Sequence, residues 1–436
     1  SVVFLAEYSA KIKGNTELGT RTVDVIHHLG HTFNSPKGGN TSSFLTGNTW
    51  NVWYVNLLGN IVLLEQDAAA AGPTSNNVQA VAKILKAHLF YELTSIWEEI
   101  PFTQALDGVT FPTPEFDDQE TVLDGVVTLI DEALALIDSM PAEGNFNFSQ
   151  GDILLGGDIT RWREFAVTVK VRSLMLIRNV SARESDAESQ LAAINFDEAV
   201  SAPVFLQYEG GSGADNGYFD LVNAFFGPSN EAVQIYGPSE AMRDQLINTN
   251  DPRRDLWLVD LSGTGNYPVA DYGVFPSPTE TVYSDNLIRG SYPDVYALPG
   301  EIDFVKAELA LDGVIGGSPQ EFFEDGIANT INYWGGGIDG FAGTAVTDGQ
   351  IDAFITGLGP VTQQKIHEQQ WLETFFRPVV AWNTVRRTGV PDLDPPGNAI
   401  ISTILKRFNY PPDEVGANPN TPPNLETDTP MWFEDL

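Results

Sequence analysis

The strongest constraint in this sequence is a set of apolar stripes with the period of an α-helix, each closed by a Gly, Pro or Asp break. From Asn76 to Glu98, the residues Val78, Val81, Ala82, Leu85, Leu89, Leu93 and Trp97 fall on one face, after Gly72-Pro73 and before Ile100-Pro101. Residues 49 to 70 carry Trp50, Tyr54, Leu57, Leu58, Ile61 and Leu64 at spacings of three and four. Asp117 to Ser139 repeats the pattern with Val122, Val126, Ile130, Ala133, Leu134 and Ile137, and Ile159 to Arg178 follows Gly156-Gly157-Asp158, where Asp158 is placed to cap the first turn. A stripe of this kind is buried against another stripe, so the chain is expected to be mostly α, with helix pairs stacked around a core.

Between about 200 and 298 the character changes: Gly, Pro, Asn and Ser become frequent and no helical stripe persists, which predicts a loop-rich irregular lobe inserted into the helical scaffold. Helical signal returns at Pro299 to Asp312, Gln320 to Tyr333 and Thr362 to Thr388. The tail from Gly389 is rich in Pro and Asn and is expected to run over the surface.

Charge removes whole classes of partner. The 23 Lys and Arg residues stand against 59 Asp and Glu, a net charge of −36. A polyanion gains no counterion release from such a surface, so nucleic acid is not expected, and an anionic bilayer repels it. The sequence has no cysteine, hence no disulfide, thiolate metal site or cysteine nucleophile. No apolar run approaches the roughly 18 residues of a membrane span. The start, Ser1-Val2-Val3-Phe4-Leu5, lacks the basic segment and cleavage site of a signal peptide.

The chemistry-bearing motifs have ordinary readings. Glu98 and Glu99 diverge by about 100° on a helix and cannot both face one sugar, so they and the pair Glu321/Glu324 read as solvated acids. His27, His28 and His31 have no further ligand beside them and read as a surface turn, so no metal and no cofactor is expected. Gly210-Gly211-Ser212-Gly213 and Gly335-Gly336-Gly337 lack the Lys-Ser/Thr of a phosphate loop, and no G-x-S-x-G occurs.

Aromatic residues carry more information. Trp50, Tyr54, Trp97, Trp162, Trp371 and Trp382 lie in helical stripes and are expected in the core. Trp257, Tyr267, Tyr272, Phe275, Tyr283, Tyr292 and Trp334 lie in polar, Gly- and Pro-rich sequence, where a ring can stay open and stack on the C–H face of a sugar.

Several segments together resemble one family. Trp50 and Tyr54, the helix from 76 to 98 and Ile100-Pro101-Phe102-Thr103-Gln104-Ala105-Leu106 are similar to the opening of SusD/RagB-like proteins. Gly157-Asp158-Ile159-Thr160-Arg161-Trp162 running on to Arg178 resembles the family's "GDxxxW" helix, and Asp251-Pro252-Arg253 and Tyr296 to Glu308 resemble further elements. Gln370-Trp371, Ala381-Trp382-Asn383-Thr384-Val385-Arg386-Arg387-Thr388-Gly389-Val390-Pro391 and Arg407-Phe408-Asn409-Tyr410-Pro411 resemble its closing motifs. Departures are Ala166-Val167-Thr168-Val169 in place of "ANSL" and Gln369 where Lys is common; the family's lipid-bearing cysteine is absent from this sequence. The landmarks span roughly residues 50 to 415.

The resemblance implies one SusD-like domain over residues 1–436, with a tetratricopeptide-like scaffold at about 45–200 and 299–390, the lobe at about 200–298 and the tail at 391–436. It implies a non-catalytic cell-surface protein that captures an oligosaccharide or polysaccharide and delivers it to a SusC-like TonB-dependent transporter. Location at the outer membrane would come through an N-terminal lipid that this chain does not carry. Acidity favours a neutral ligand such as a glucan. The stacking candidates are Trp257, Tyr272, Tyr283 and Trp334, with Asn48 and Asn266 as hydroxyl partners, because loops on a rigid scaffold usually carry binding side chains. Trp382 and Arg386 share a helix face, and Arg386 or Arg387 is expected to pair with an acid of another helix as a structural contact. The rival readings are an all-helical glycoside hydrolase, which needs a carboxylate pair in a cleft, and a repeat scaffold binding peptides.

Overall fold

Two aspartates set the starts of the longest helices after the first pair. Asp118 accepts a hydrogen bond from the Thr121 amide at 2.7 Å, and Asp158 accepts from those of Thr160 and Arg161 at 2.9 and 3.3 Å, satisfying donors the helix itself leaves free. The computed structural model describes residues 30–31, 43–211, 216, 236–269, 280–287, 289–395 and 399–434. Within them the protein is mostly helical and forms two compact units, one of residues 43–204 with 406–434, the other of the described residues from 205 to 405 together with residues 30–31.

The first unit contains α1 (Ser43–Asn51), α2 (Gly59–Ala71), α3 (Asn76–Trp97), α4 (Gln119–Asp138), α5 (Ile159–Arg178) and α6 (Glu184–Ala192). A wide π-turn, Val52–Leu58, joins α1 to α2, and Trp53 within it is buried and meets Trp97 edge-on, as Trp50 does. α3 packs along α4, α4 along α5 and α5 along α6, so the stripes read from the sequence do face one another. Trp97 and Trp162 are fully buried, while Tyr54 is half-buried with its hydroxyl donating to the Pro101 carbonyl at 2.7 Å.

The second unit contains α7 (Glu240–Asn248), α8 (Arg254–Trp257), α9 (Pro299–Leu311), α10 (Pro319–Asn332), α11 (Asp348–Leu358), α12 (Gln363–Glu373) and α13 (Pro378–Thr388). Strand Leu258–Asp260 pairs antiparallel with Thr281–Tyr283. The loop-rich stretch thus packs with α9–α13 in one unit and carries short helices and strands of its own.

Three expectations are corrected here. The helix expected from Thr362 to Thr388 is two helices, because Pro378 lacks an amide proton and bars α geometry at Arg377, and Phe376 sits at φ 57°. The tail is no surface run after residue 405. Phe408, Tyr410, Met431 and Phe433 are buried in the first unit, where the Trp97 indole N–H donates to the Asn409 carbonyl at 3.1 Å; the chain also forms a short α14 (Pro412–Ala417) there. Glu98 is consequently not a solvated acid: it pairs with Arg407 at 2.6 Å and accepts from the Trp432 amide at 2.6 Å. The C-terminus of α13 follows the sequence reading, with Gly389 left-handed at φ 67° and Arg386 lying 3.9 Å over the Trp382 ring. Arg387 forms a bidentate pair with Glu308 of α9 at 2.6 and 2.8 Å.

Candidate functional site

The rings expected to meet a sugar are themselves a core. Trp257 stacks on Phe375 with centroids 4.6 Å apart and meets Trp334 edge-on at 5.9 Å, and Tyr283 lies 5.4 Å from Phe375. Trp257 and Trp334 are 0% exposed and Tyr283 1%. Their polar atoms are spent inside: the Trp257 indole donates to the Trp334 carbonyl at 3.1 Å and that of Trp334 to the Glu373 carbonyl at 3.3 Å. The expectation that Trp257, Tyr283 and Trp334 stay open to ligand is therefore overturned. A unit with irregular backbone still needs an interior, and here large aromatic rings supply it, Tyr292 included. In Gly335-Gly336-Gly337, which follows Trp334, a Cβ on Gly336 (φ 144°) would meet that of Ala345.

Asn266 is exposed on the loop after strand Leu258–Asp260. Asn48 is half-buried on α1 in the first unit. Tyr272 and Phe275, like His27 and His28, lie outside the described residues; of His31 only the backbone is described.

The buried aromatic core carries a cleft on the same unit. A cavity of about 710 Å³ opens between the end of α7 and the turn into α8 on one side, and residues 344–346 with α11 on the other. The first wall is a turn, Asn248-Thr249-Asn250-Asp251-Pro252, in which Asn250 takes φ 53° and the Thr249 hydroxyl donates to the Gln245 carbonyl at 2.6 Å. Asp251 is buried and fixed by Arg253, whose Nε donates to it at 2.8 Å. The second wall is one face of α11: Gln350, Ala353, Phe354, Gly357 and Leu358 recur at helical spacing. Thr347 caps this helix and in return donates through its amide and hydroxyl to Gln350 Oε1 at 3.0 and 2.9 Å.

Arg254 and Asp255 line the cleft, and Tyr267 is bonded to Asp255. Arg254 pairs with Asp255 through Nε and Nη2 at 2.7 and 3.0 Å, and the Tyr267 hydroxyl donates to the same carboxylate at 2.8 Å. Those bonds from Arg254, with help from Tyr267 against burial, hold the Asp255 carboxyl below its ordinary range. Burial and the Asp255 charge push the Tyr267 phenol up. The Asp260 carboxylate accepts from the Ser262 and Gly265 amides at 2.9 and 2.7 Å, which fixes the loop presenting Asn266 and Tyr267. The lining thus combines amide- and hydroxyl-bearing residues and ion-paired carboxylates, Asp251 with Arg253 and Asp255 with Arg254, with aliphatic side chains, a composition suited to a neutral polyhydroxy molecule. Asn248, Asn250 and Gln350 escaped the sequence reading, although the Asn-Asp-Pro cluster at 250–252 marks a turn and was legible as one.

Comparison with known proteins gives the family of this helical scaffold. A family profile described as starch-binding and associating with the outer membrane matches residues 15–411, and the chain belongs to this SusD-like family. Solved structures with the same fold include a chitin-binding protein at 21% identity, with 100% of this chain and 98% of that one covered and a TM-score of 0.81. A SusD-like protein of Bacteroidetes is 19% identical over 100% and 99%, with a TM-score of 0.80. A SusD homologue from Bacteroides uniformis ATCC 8492 is 18% identical over 100% and 99%, at 0.79. No curated protein sequence matches the chain.

Proposed function

We propose that the protein captures a neutral oligosaccharide or polysaccharide at the cell surface without cleaving it, and hands it to a SusC-like TonB-dependent transporter. The observation that carries this reading is the family match across residues 15–411, which spans both compact units and supports their working as one SusD-like domain. Attachment to the outer membrane is proposed to come from an N-terminal lipid upstream of this chain. The helix pairs serve as a tetratricopeptide-like scaffold, and the cleft between residues 248–256 and 344–358 is the proposed glycan site, with Asn266 and Tyr272 kept as further proposed contacts from the sequence.

Charge supports a neutral ligand, of which a glucan is the simplest case: a net charge of −36 disfavours anionic chains. Affinity electrophoresis through gels containing starch, β-glucan, xylan, chitin derivatives or alginate tests the reading. Retardation by a neutral polysaccharide and not by alginate is expected, with no reducing sugar released over a day. Release of sugar relative to heat-denatured protein would favour the hydrolase instead.

A further inference from the structure

Resting on that reading of the cleft, we propose that it selects neutral oligosaccharides bearing acetamido groups, N-acetylhexosamine residues, over bare glucans. The argument starts from what the walls offer. A bare glucan presents hydroxyls around its edge and a C–H face that binds best on a flat exposed ring. The cleft has no such platform among its described residues: Phe354 is 5% exposed, and the ring of Tyr267, which is bonded to Asp255, is already faced by the Arg254 guanidinium at 5.5 Å.

An acetamido group needs three things together: an acceptor for its N–H, a donor for its C=O and an apolar contact for its methyl. Side-chain amides are the reciprocal partner, and three residues that carry them, Asn248, Asn250 and Gln350, line this cleft. Gln350 is pre-oriented. Its Oε1 is held by the Thr347 amide and hydroxyl at 3.0 and 2.9 Å, so its Nε2 hydrogens point in a fixed direction rather than rotating freely. Beside it on the same helix face, Ala353 and Leu358 offer small aliphatic surface, and Val346 adds more from the adjoining loop. The Arg254–Asp255 pair leaves little net charge to attract an ionised sugar locally.

Gly357 provides a test that spares the fold. It lies on α11 in the cleft wall, a Cβ there would meet nothing within 4 Å, and Leu is a better helix former than Gly. Titration calorimetry would compare tetra-N-acetylchitotetraose, cellotetraose with the same β-1,4 backbone but no acetamido group, and the fully deacetylated amino tetramer. The acetylated tetramer is expected to bind at least about tenfold tighter than either of the others, and Gly357→Leu to weaken it about tenfold while melting no lower than wild type. Cellotetraose binding as tightly would overturn the proposal. Tightest binding by the cationic tetramer would overturn it too, since overall charge would then be the selector. So would Gly357→Leu binding like wild type. If none of the tetramers binds while a neutral glucan retards the protein in gels, the acetamido proposal fails and glycan capture stands; if no polysaccharide retards it, both fail.

Discussion

Replacing Trp257 by Ala separates an interior ring from a ligand platform. The side chain is 0% exposed, stacks on Phe375, meets Trp334 edge-on and lies 5.5 Å from the Arg253 guanidinium. Removing a buried Trp costs about 3–5 kcal/mol in lost transfer energy and residual cavity. The Trp334 carbonyl also loses its indole donor, and an unsatisfied buried acceptor adds about 1–3 kcal/mol. At about 2–4 °C per kcal/mol for a unit of this size, the melting temperature should fall by roughly 10 °C or more. The assay is thermal unfolding followed by near-ultraviolet circular dichroism, with Trp257→Phe as a milder control that keeps a ring against Phe375. A Trp257→Ala protein that melts like wild type yet no longer binds glycan would refute the reasoning, because it would make Trp257 an open ligand contact.

Other expectations follow from buried charge and from helix ends. Burial, opposed by Arg172, pushes Glu92 from its ordinary 4.5 up to about 8, and burial with the Arg172 charge pushes His88 down to about 3. Because the folded pKa of Glu92 lies above the unfolded one, its contribution is fully present below about pH 4.5 and is lost as pH rises to about 8, at up to about 1.4 kcal/mol per pH unit. His88, with its folded pKa lowered, gives the opposite slope between about pH 3 and 6.5, so Glu92→Gln should remove the falling slope in denaturant melts run from pH 6.5 to 8, and an unchanged slope there would place the titration elsewhere. Burial pushes Glu308 up, but the Arg387 charge and the bonds from His367 and Arg387 hold it well below the usual carboxylate range. Arg387→Ala should therefore cost about 3–5 kcal/mol in chemical denaturation by stranding that carboxylate, whereas a loss under 1 kcal/mol would contradict the buried pair. Asp158→Ala should cost about 1 kcal/mol, and Asp158→Asn only part of it, in the same melts.

How far the sequence could be read depended on whether a local rule was in charge. The stripes of α3, α4 and α5 were legible because each helix packs along a neighbour, and Asp158 and Gly389 stand at the ends that their chemistry predicts. The break between α12 and α13 was written in Pro378, but the apolar stripe running across it masked the signal. Trp257, Tyr283 and Trp334 were misread because absence of helical period was equated with exposure, while their burial arises from long-range contacts with Phe375 and Glu373 of α12 and its sequel. The cleft walls join residues about 100 positions apart, 248–256 with 344–358, which no local pattern encodes.

The central claim, that this chain holds a neutral glycan in the cleft of its second unit, is tested most directly by a crystal structure of the protein soaked with an oligosaccharide that it binds in calorimetry. The account predicts sugar density between the Asn248–Leu256 turn and the α11 face, within hydrogen-bond reach of Asn250 and Gln350, and away from Trp257 and Trp334. Ordered sugar elsewhere on the molecule, with the cleft empty, would contradict it.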